Sequence, residues 1–182
     1  IVEGGYLCSE EEKEMMRQAM WDEKGNRTFP TIACRPQQTA EVAGFTIPDD
    51  RKFLMVENQG QIGKEHKFSG EKLTTLMALY HFDQFKDALE TVRAIYQVAG
   101  TGHSCGIYSH NDSHIDALAH VAPVSRMMVR QPQSKANAGS WTNGMPMTSS
   151  LGCGIWGGNI TNENVSMKHM MNYTWVSRPI PE

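Results

Sequence analysis

The stretch Leu151-Gly152-Cys153-Gly154-Ile155-Trp156-Gly157-Gly158-Asn159 sets four glycines around a cysteine and a tryptophan, and Asn162-Glu163-Asn164-Val165 follows it. Glycine is spent where the backbone takes a positive φ or passes close to another group, and holding it there costs conformational entropy. Taken literally, Gly152-x-Gly154-x-x-Gly157 matches the dinucleotide fingerprint. That fingerprint needs a strand before it, a helix opening on its third glycine and an acid about 20 residues on. Here Met147-Thr148-Ser149-Ser150 precedes it, Gly158-Asn159 follows, and position 177 is Ser. Phosphate binding is set aside, and the loop reads as one that shapes a substrate channel.

His103-x-Cys105, His110 and His114 are the residues that a metal ion would use. Zinc sites want closed sets of Cys and His at tight spacing, and the sequence has no C-x-x-C. His110 and His114 flank the polar Asn111-Asp112-Ser113 and read as solvated residues at a helix start, so no metal is expected. A nucleophilic cysteine needs its thiolate stabilised by a helix start or a cation. Cys153 lies between glycines, Cys105 in an expected strand, and Cys8 just before an expected helix. None has a compelling partner. Glu71, in Phe68-Ser69-Gly70-Glu71-Lys72-Leu73, stands at the mouth of an apolar segment. It is placed either to accept hydrogen bonds from sugar hydroxyls or simply to be solvated beside its lysine; the residues alone leave both readings open.

The elements that must position these residues alternate. Ile1 to Cys8 reads as a strand, and Ser9 with Glu12 three residues on is a capping-box signature. Met15, Met16, Ala19 and Met20 then line one helix face. Gln37 to Ala43 reads as a short helix closed by Gly44, Pro48-Asp49-Asp50 as a turn, and Lys52 to Val56 as a strand. Leu73 to Tyr80 reads as a buried strand. Phe85, Ala88, Leu89, Val92, Ile95 and Tyr96 hold helical spacing up to Gly100. Ser104 to Tyr108 reads as a strand, Asn111 or Asp112 caps a helix ended by Pro123, and Ser125 to Arg130 is a strand. Gln131 to Gly152 is a long loop, of a length usually functional. Glu163 to Met171 suggests a helix and Tyr173 to Val176 a last strand. The fold expected is α/β with a largely parallel sheet.

At 182 residues the chain has interior enough for a core without staples. It is 40% hydrophobic and 20% charged with net charge −3, which gives no electrostatic case for nucleic acid or an anionic membrane as partner. Its four scattered cysteines suit reduced thiols and a cytoplasmic setting better than a disulfide framework. No apolar run approaches the roughly 20 residues of a membrane span.

Several segments, in order, resemble one family, the CoA-acylating aldehyde dehydrogenases. The loop at Leu151 to Asn159 with Glu163-Asn164-Val165 is similar to their LGCGxWGGN…ENV. Phe68-x-x-Glu71-Lys72-Leu73 looks like their HEKLSP segment. Gly100-Thr101-Gly102-His103-Ser104 resembles their GxGH(S/T) turn, and Ala40-Glu41-Val42-Ala43-Gly44 their IAExAG helix end. Two departures stand out: Gly70 replaces a frequent His, and Thr74-Thr75 replaces Ser-Pro.

The resemblance implies a fold, the second half of the aldehyde dehydrogenase catalytic domain over residues 1–171 with an oligomerisation strand and tail over 172–182. It implies NAD or NADP as cofactor, CoA as cosubstrate, a small aldehyde as substrate, and a homo-oligomer. Glu71 would hold the nicotinamide ribose, His103 would stand near the thioester chemistry as the possible catalytic residue, and Gly152, Cys153, Gly154 and Asn159 would wall the substrate site. The chain begins Ile1-Val2-Glu3 with no initiator Met, so it is expected to be the back part of a larger enzyme whose nucleophilic cysteine lies on an earlier segment. Arg126 to Asn137 and Asn143 to Thr148 look most like the sulfoacetaldehyde-specific members. Arg130 and Lys135 are accordingly the candidates to hold a sulfonate, as guanidinium and ammonium groups hold oxyanions. The competing readings are another short aldehyde such as acetaldehyde, or a non-catalytic assembly module.

Overall fold

A computed structural model describes residues 3–181. They divide into two compact units, one running up to Gly100 and including His120–Ala122, the other comprising Thr101–Ala119 and the chain from Pro123 onward. The fold is α/β with parallel strands, as the alternation of elements predicts.

In the first unit β1 (Gly5–Leu7), β2 (Phe53–Glu57) and β3 (Leu76–Leu79) form a parallel sheet in that order. Parallel neighbours need crossovers, and α1 (Glu10–Met20) and α2 (Pro36–Ala43) supply the first of them. The expected start of α1 is present in full. Glu12 N–H donates to Ser9 Oγ at 3.1 Å, and Ser9 N–H donates to Glu12 Oε2 at 2.8 Å. Met16 and Met20, one turn apart, are completely buried with Leu54 and Val56 of β2, and Trp21 meets Phe68 edge-on at 5.1 Å. Gly44 closes α2 in the left-handed conformation, φ 96°. Of the expected first strand, Ile1 and Val2 lie outside the described residues.

The third strand differs from expectation. It begins at Leu76, because Leu73 sits at φ +50° and is half-exposed, a conformation that no strand residue adopts. Leu73 instead offers its carbonyl to Ala33 N–H at 2.8 Å, while the Thr74 and Thr75 hydroxyls both donate to Cys34 O at 3.3 Å. α3 (Phe85–Val98) is the long amphipathic helix the spacing predicts.

In the second unit β4 (Cys105–Ile107) and β5 (Met127–Val129) pair in parallel across α4 (Asp112–Val121). Asn111 Oδ1 accepts Ser113 N–H at 3.0 Å and caps α4. Inside the expected loop 131–152 the chain makes a single helical turn, α5 (Gln133–Ala136), which a four-residue apolar pattern is too short to announce. The expected helix over 163–171 is only a 3-10 turn, Met167–Met170, and residues 171–181 carry no regular structure. The expected last strand at Tyr173 to Val176 is not formed, and Tyr173 and Trp175 are exposed.

Candidate functional site

The second unit brings two separately recognised motifs into contact. The β4–β5 ladder continues backwards through a parallel bridge between Gly102 and Val124, with Gly102 N–H on Pro123 O at 2.7 Å and Ser125 N–H on Gly102 O at 3.1 Å. That pairing fixes Gly102-His103-Ser104 beside Ser125-Arg126. The glycine-rich loop then packs backbone to backbone on this strand start. A Cβ on Gly102, whose φ is +87°, would lie 2.3 Å from Cys153 O and 2.6 Å from Gly157 N.

The loop is closed on itself by its own amides. Gly152 N–H donates to Glu163 O at 3.0 Å and Gly154 N–H to Thr161 O at 2.9 Å, and an antiparallel bridge joins Leu151 to Asn164. Asn159 is the latch: its Oδ1 accepts Cys153 N–H at 2.9 Å while its own N–H reaches Gly154 O at 2.9 Å. Gly154 has φ 61° and ψ −165°, a region essentially closed to side-chain-bearing residues. A 3-10 turn, Ile155–Gly157, follows it in place of the helix a dinucleotide fingerprint demands.

Beneath the loop lies Arg126, only 4% exposed and in no ion pair with a carboxylate among the described residues. Its Nε donates to Asn164 Oδ1 at 2.7 Å, Nη1 to Gly152 O at 2.8 Å and Nη2 to Asn162 O at 3.3 Å. Burial pulls its pKa below the ordinary arginine value. Charge-assisted bonds to neutral carbonyls offset the desolvation only because several converge on one rigid fork. Asn164 completes the set, donating through Nδ2 to Asn137 O at 3.1 Å and Pro146 O at 2.7 Å. An open cleft of about 380 Å³ adjoins these groups, with Ser125, Arg126 and Asn164 in its wall and the Glu163–Lys168 ion pair among its lining.

His103 is exposed next to buried Ser104, its Nδ1 2.7 Å from the Ser104 hydroxyl. Gln133 Nε2 and Asn137 Nδ2 both donate to that hydroxyl at 2.9 Å. Arg126 and Asn164, the residues that staple the loop, are not legible as such in the sequence. A lone cation heading an apolar strand and an asparagine in a loop carry no periodic signal.

The remaining candidates lie apart from this cluster in their hydrogen bonding. Arg130, at φ +50°, donates through Nη1 to Ser109 O at 2.7 Å. Lys135 is exposed in α5. Glu71 belongs to the first unit and is exposed, with no hydrogen bond to its carboxylate among the described residues. Its neighbour Lys72 is drawn away to Phe68 O at 2.9 Å and Gly70 O at 2.7 Å, and burial lowers that amine to about 8. The segment that follows Glu71 is anchored by Lys72 and by the Thr74-Thr75 pair, while the Glu71 carboxylate faces solvent. The thiols of Cys8 and Cys105 are pushed up by burial, to about 12 and about 11. Such thiols are poor nucleophiles.

No protein-family model matches the chain. It is 39% identical over 178 residues to a sulfoacetaldehyde dehydrogenase of Acholeplasma sp, and 38% identical over 181 residues to a sulfoacetaldehyde dehydrogenase (acylating) of Bilophila wadsworthia. These alignments take in 96% and 97% of this chain but 36% and 39% of the relatives, so the chain spans under two fifths of their length. An acetylating aldehyde dehydrogenase of Geobacillus thermoglucosidasius superposes with a TM-score of 0.86 at 31% identity, covering 98% of this chain and 40% of that one. The resemblance carried by the sequence motifs therefore extends along nearly the whole chain and to its fold.

Proposed function

We propose that this chain works within a CoA-acylating aldehyde dehydrogenase, one that converts an aldehyde and CoA to the acyl-CoA while NAD or NADP is reduced. One observation carries the reading. The Gly102-His103 turn and the Gly152–Asn159 loop, far apart in sequence and each similar to a motif of that family, pack against each other with the closeness that only glycine permits. In this reading the Gly152–Asn159 backbone, latched by Asn159, walls the substrate, and His103 stands beside the reacting acyl group. Glu71 accepts hydrogen bonds from the hydroxyls of the nicotinamide ribose. The nicotinamide cofactor, when bound, takes up the hydride that leaves the aldehyde carbon.

The attacking thiolate is assigned to none of the four cysteines. Cys8 and Cys105 are held protonated by burial, Cys34 lies among threonine hydroxyls at 3.3 and 3.7 Å, and Cys153 stands between glycines of the loop read here as the substrate wall. The 182-residue chain alone is therefore expected to turn over no aldehyde. Turnover by the purified chain that disappears on replacing one of its own cysteines would refute this.

Sulfoacetaldehyde is the substrate we favour, on the 38–39% identity with its dehydrogenases and on Arg130. A non-glycine residue held at φ +50° stores strain of order 1 kcal/mol, and such strain gathers at functional sites. In the enzyme complete with its nucleophile, Arg130→Ala is expected to lower the kcat/KM ratio of sulfoacetaldehyde to acetaldehyde by about tenfold or more, the worth of a charge-assisted contact. An unchanged ratio would leave acetaldehyde, the second reading, which the acetylating neighbour supports.

A further inference from the structure

Arg126 belongs to two parts of the second unit at once. Its backbone is laddered to the segment that carries His103: Ser125 N–H donates to Gly102 O at 3.1 Å, and Cys105 N–H donates to Arg126 O at 3.0 Å. Its guanidinium holds both ends of the glycine-rich loop, with Gly152 O at 2.8 Å before it and, after it, Asn162 O at 3.3 Å and Asn164 Oδ1 at 2.7 Å. Those ends lie close together, since a Cβ on Gly152 would stand 2.2 Å from Thr161 O. Through Nδ2, Asn164 carries the same anchor on to Asn137 O at 3.1 Å and Pro146 O at 2.7 Å. Taking a guanidinium out of water is costly, and an apolar side chain of similar volume would avoid that cost. What the charged fork adds is direction. Its three nitrogens lie in one plane and fit one arrangement of acceptors, where a flexible ammonium fits many.

We propose that Arg126 is a positioning residue, which sets the glycine-rich loop at a fixed place against the His103 turn and so spaces the two walls of the substrate site. The role deepens the acylating reading and rests on it, whereas the anchoring of the loop rests on the geometry alone. Arg126 is itself buried and works through the loop. A reacting group misplaced by about 1 Å costs on the order of 10²-fold in rate, because the atoms no longer meet in line. The effect falls on the aldehyde, which the loop walls. Glu71, read as the ribose ligand, belongs to the first unit, so the nicotinamide cofactor is left as an internal control.

The experiment has two arms, both on Arg126→Lys, which keeps the charge and loses the fork. In the first, amide hydrogen exchange of the labelled chain is read by nitrogen-15 NMR. The Gly152 and Gly154 amides bond Glu163 O and Thr161 O across the base of the loop. They are expected to exchange at least about tenfold faster in the variant. The Arg130 amide, bonded to Ile107 O in the same unit, is expected to stay within about threefold. Unchanged glycine amides would overturn the anchor. Equal acceleration at all three would mean that the unit as a whole has loosened, which makes Arg126 a residue of the fold and overturns its positioning role. In the second arm, the enzyme complete with its nucleophile is titrated for active sites and assayed. Per active site, kcat/KM for the aldehyde is expected to fall by about 10²-fold, while KM for the nicotinamide cofactor stays within about twofold. A loss confined to the number of active sites, or one shared equally by the cofactor, would sink the proposal. Absence of any acylating turnover in the unaltered enzyme would instead sink the functional reading, and the anchoring of the loop would then be decided by the first arm.

Discussion

At Gly102 the left-handed backbone and the nearness of Cys153 O and Gly157 N act together, so that a methyl group there has nowhere to go. Gly102→Ala is expected to cost at least about 1–3 kcal/mol, the range for a strained backbone position, with the clash added. Urea denaturation followed through Trp156, which sits in the displaced loop, reads this. A midpoint within error of the unaltered chain would mean that the two motifs do not depend on their backbone contact. Asn159 illustrates the contrasting kind of site residue. It is exposed, yet its amide oxygen holds Cys153 N–H, so its importance lies in the shape of the loop. Glycine density in the sequence announces such a loop; which carbonyls and amides it meets does not follow from composition.

Among the elements, α1 is the one whose sequence and structure agree most closely. Ser9 and Glu12 exchange both capping bonds, and acidic residues fill the first turn, where the helix dipole favours them. Ser9→Ala is expected to destabilise the first unit by about 1 kcal/mol, the usual worth of an N-cap, without loss of helical circular dichroism. A loss above about 2 kcal/mol would show the cap holding β1 as well as α1, since Cys8 N–H bonds Met55 O next to it. β3 shows where pattern reading stops. Leu73 continues the apolar run, but its carbonyl is claimed by Ala33 forty residues earlier in the chain, and the strand starts three residues later. Period-two patterning reports which side chains are apolar, and a remote hydrogen bond decides which of them pair.

For the molecule as a whole, the two units differ in the balance of apolar and polar groups they bury. Methionines, leucine and valine fill the first around β2, while the second buries Ile107, Leu118, Met128 and Ala136 together with the polar Arg126, Asn164, Asn137 and Ser104. Buried thiols and a bonded phenol also give the stability a predictable response to alkali. The Cys8 thiol is pushed up to about 12 and Cys105 to about 11 by burial, and Tyr6 to about 12, chiefly by its 2.7 Å bond to Glu12. In each case the folded chain keeps a proton that the unfolded chain releases at lower pH. Their contribution is whole below about pH 9 and is lost as pH rises towards 11 to 12. Lys72 acts in the opposite sense. Its amine, lowered to about 8, sheds its proton first in the folded state, so the penalty of its burial fades above that pH. Three groups against one leave a net fall, expected as a lower urea midpoint at pH 10.5 than at pH 8. The fall should be shallower in Cys8→Ala and Cys105→Ala. A midpoint that stays level or rises would contradict this balance.

Local chemistry was readable from the chain alone: the cap of α1, the glycine stop of α2, the amphipathic α3, the alternation that makes an α/β fold, and the glycine loop as a shaped surface. These depend on residues within a few positions of one another, where spacing and geometry are equivalent. Tertiary structure decided the rest. It placed Gly102 against Cys153 and Gly157, turned Arg126 inward beneath the loop, and set Gln133 and Asn137 on the Ser104 hydroxyl. Each of those contacts joins segments about 26 to 55 residues apart, and a single close approach or hydrogen bond at that separation leaves no periodic trace in a sequence.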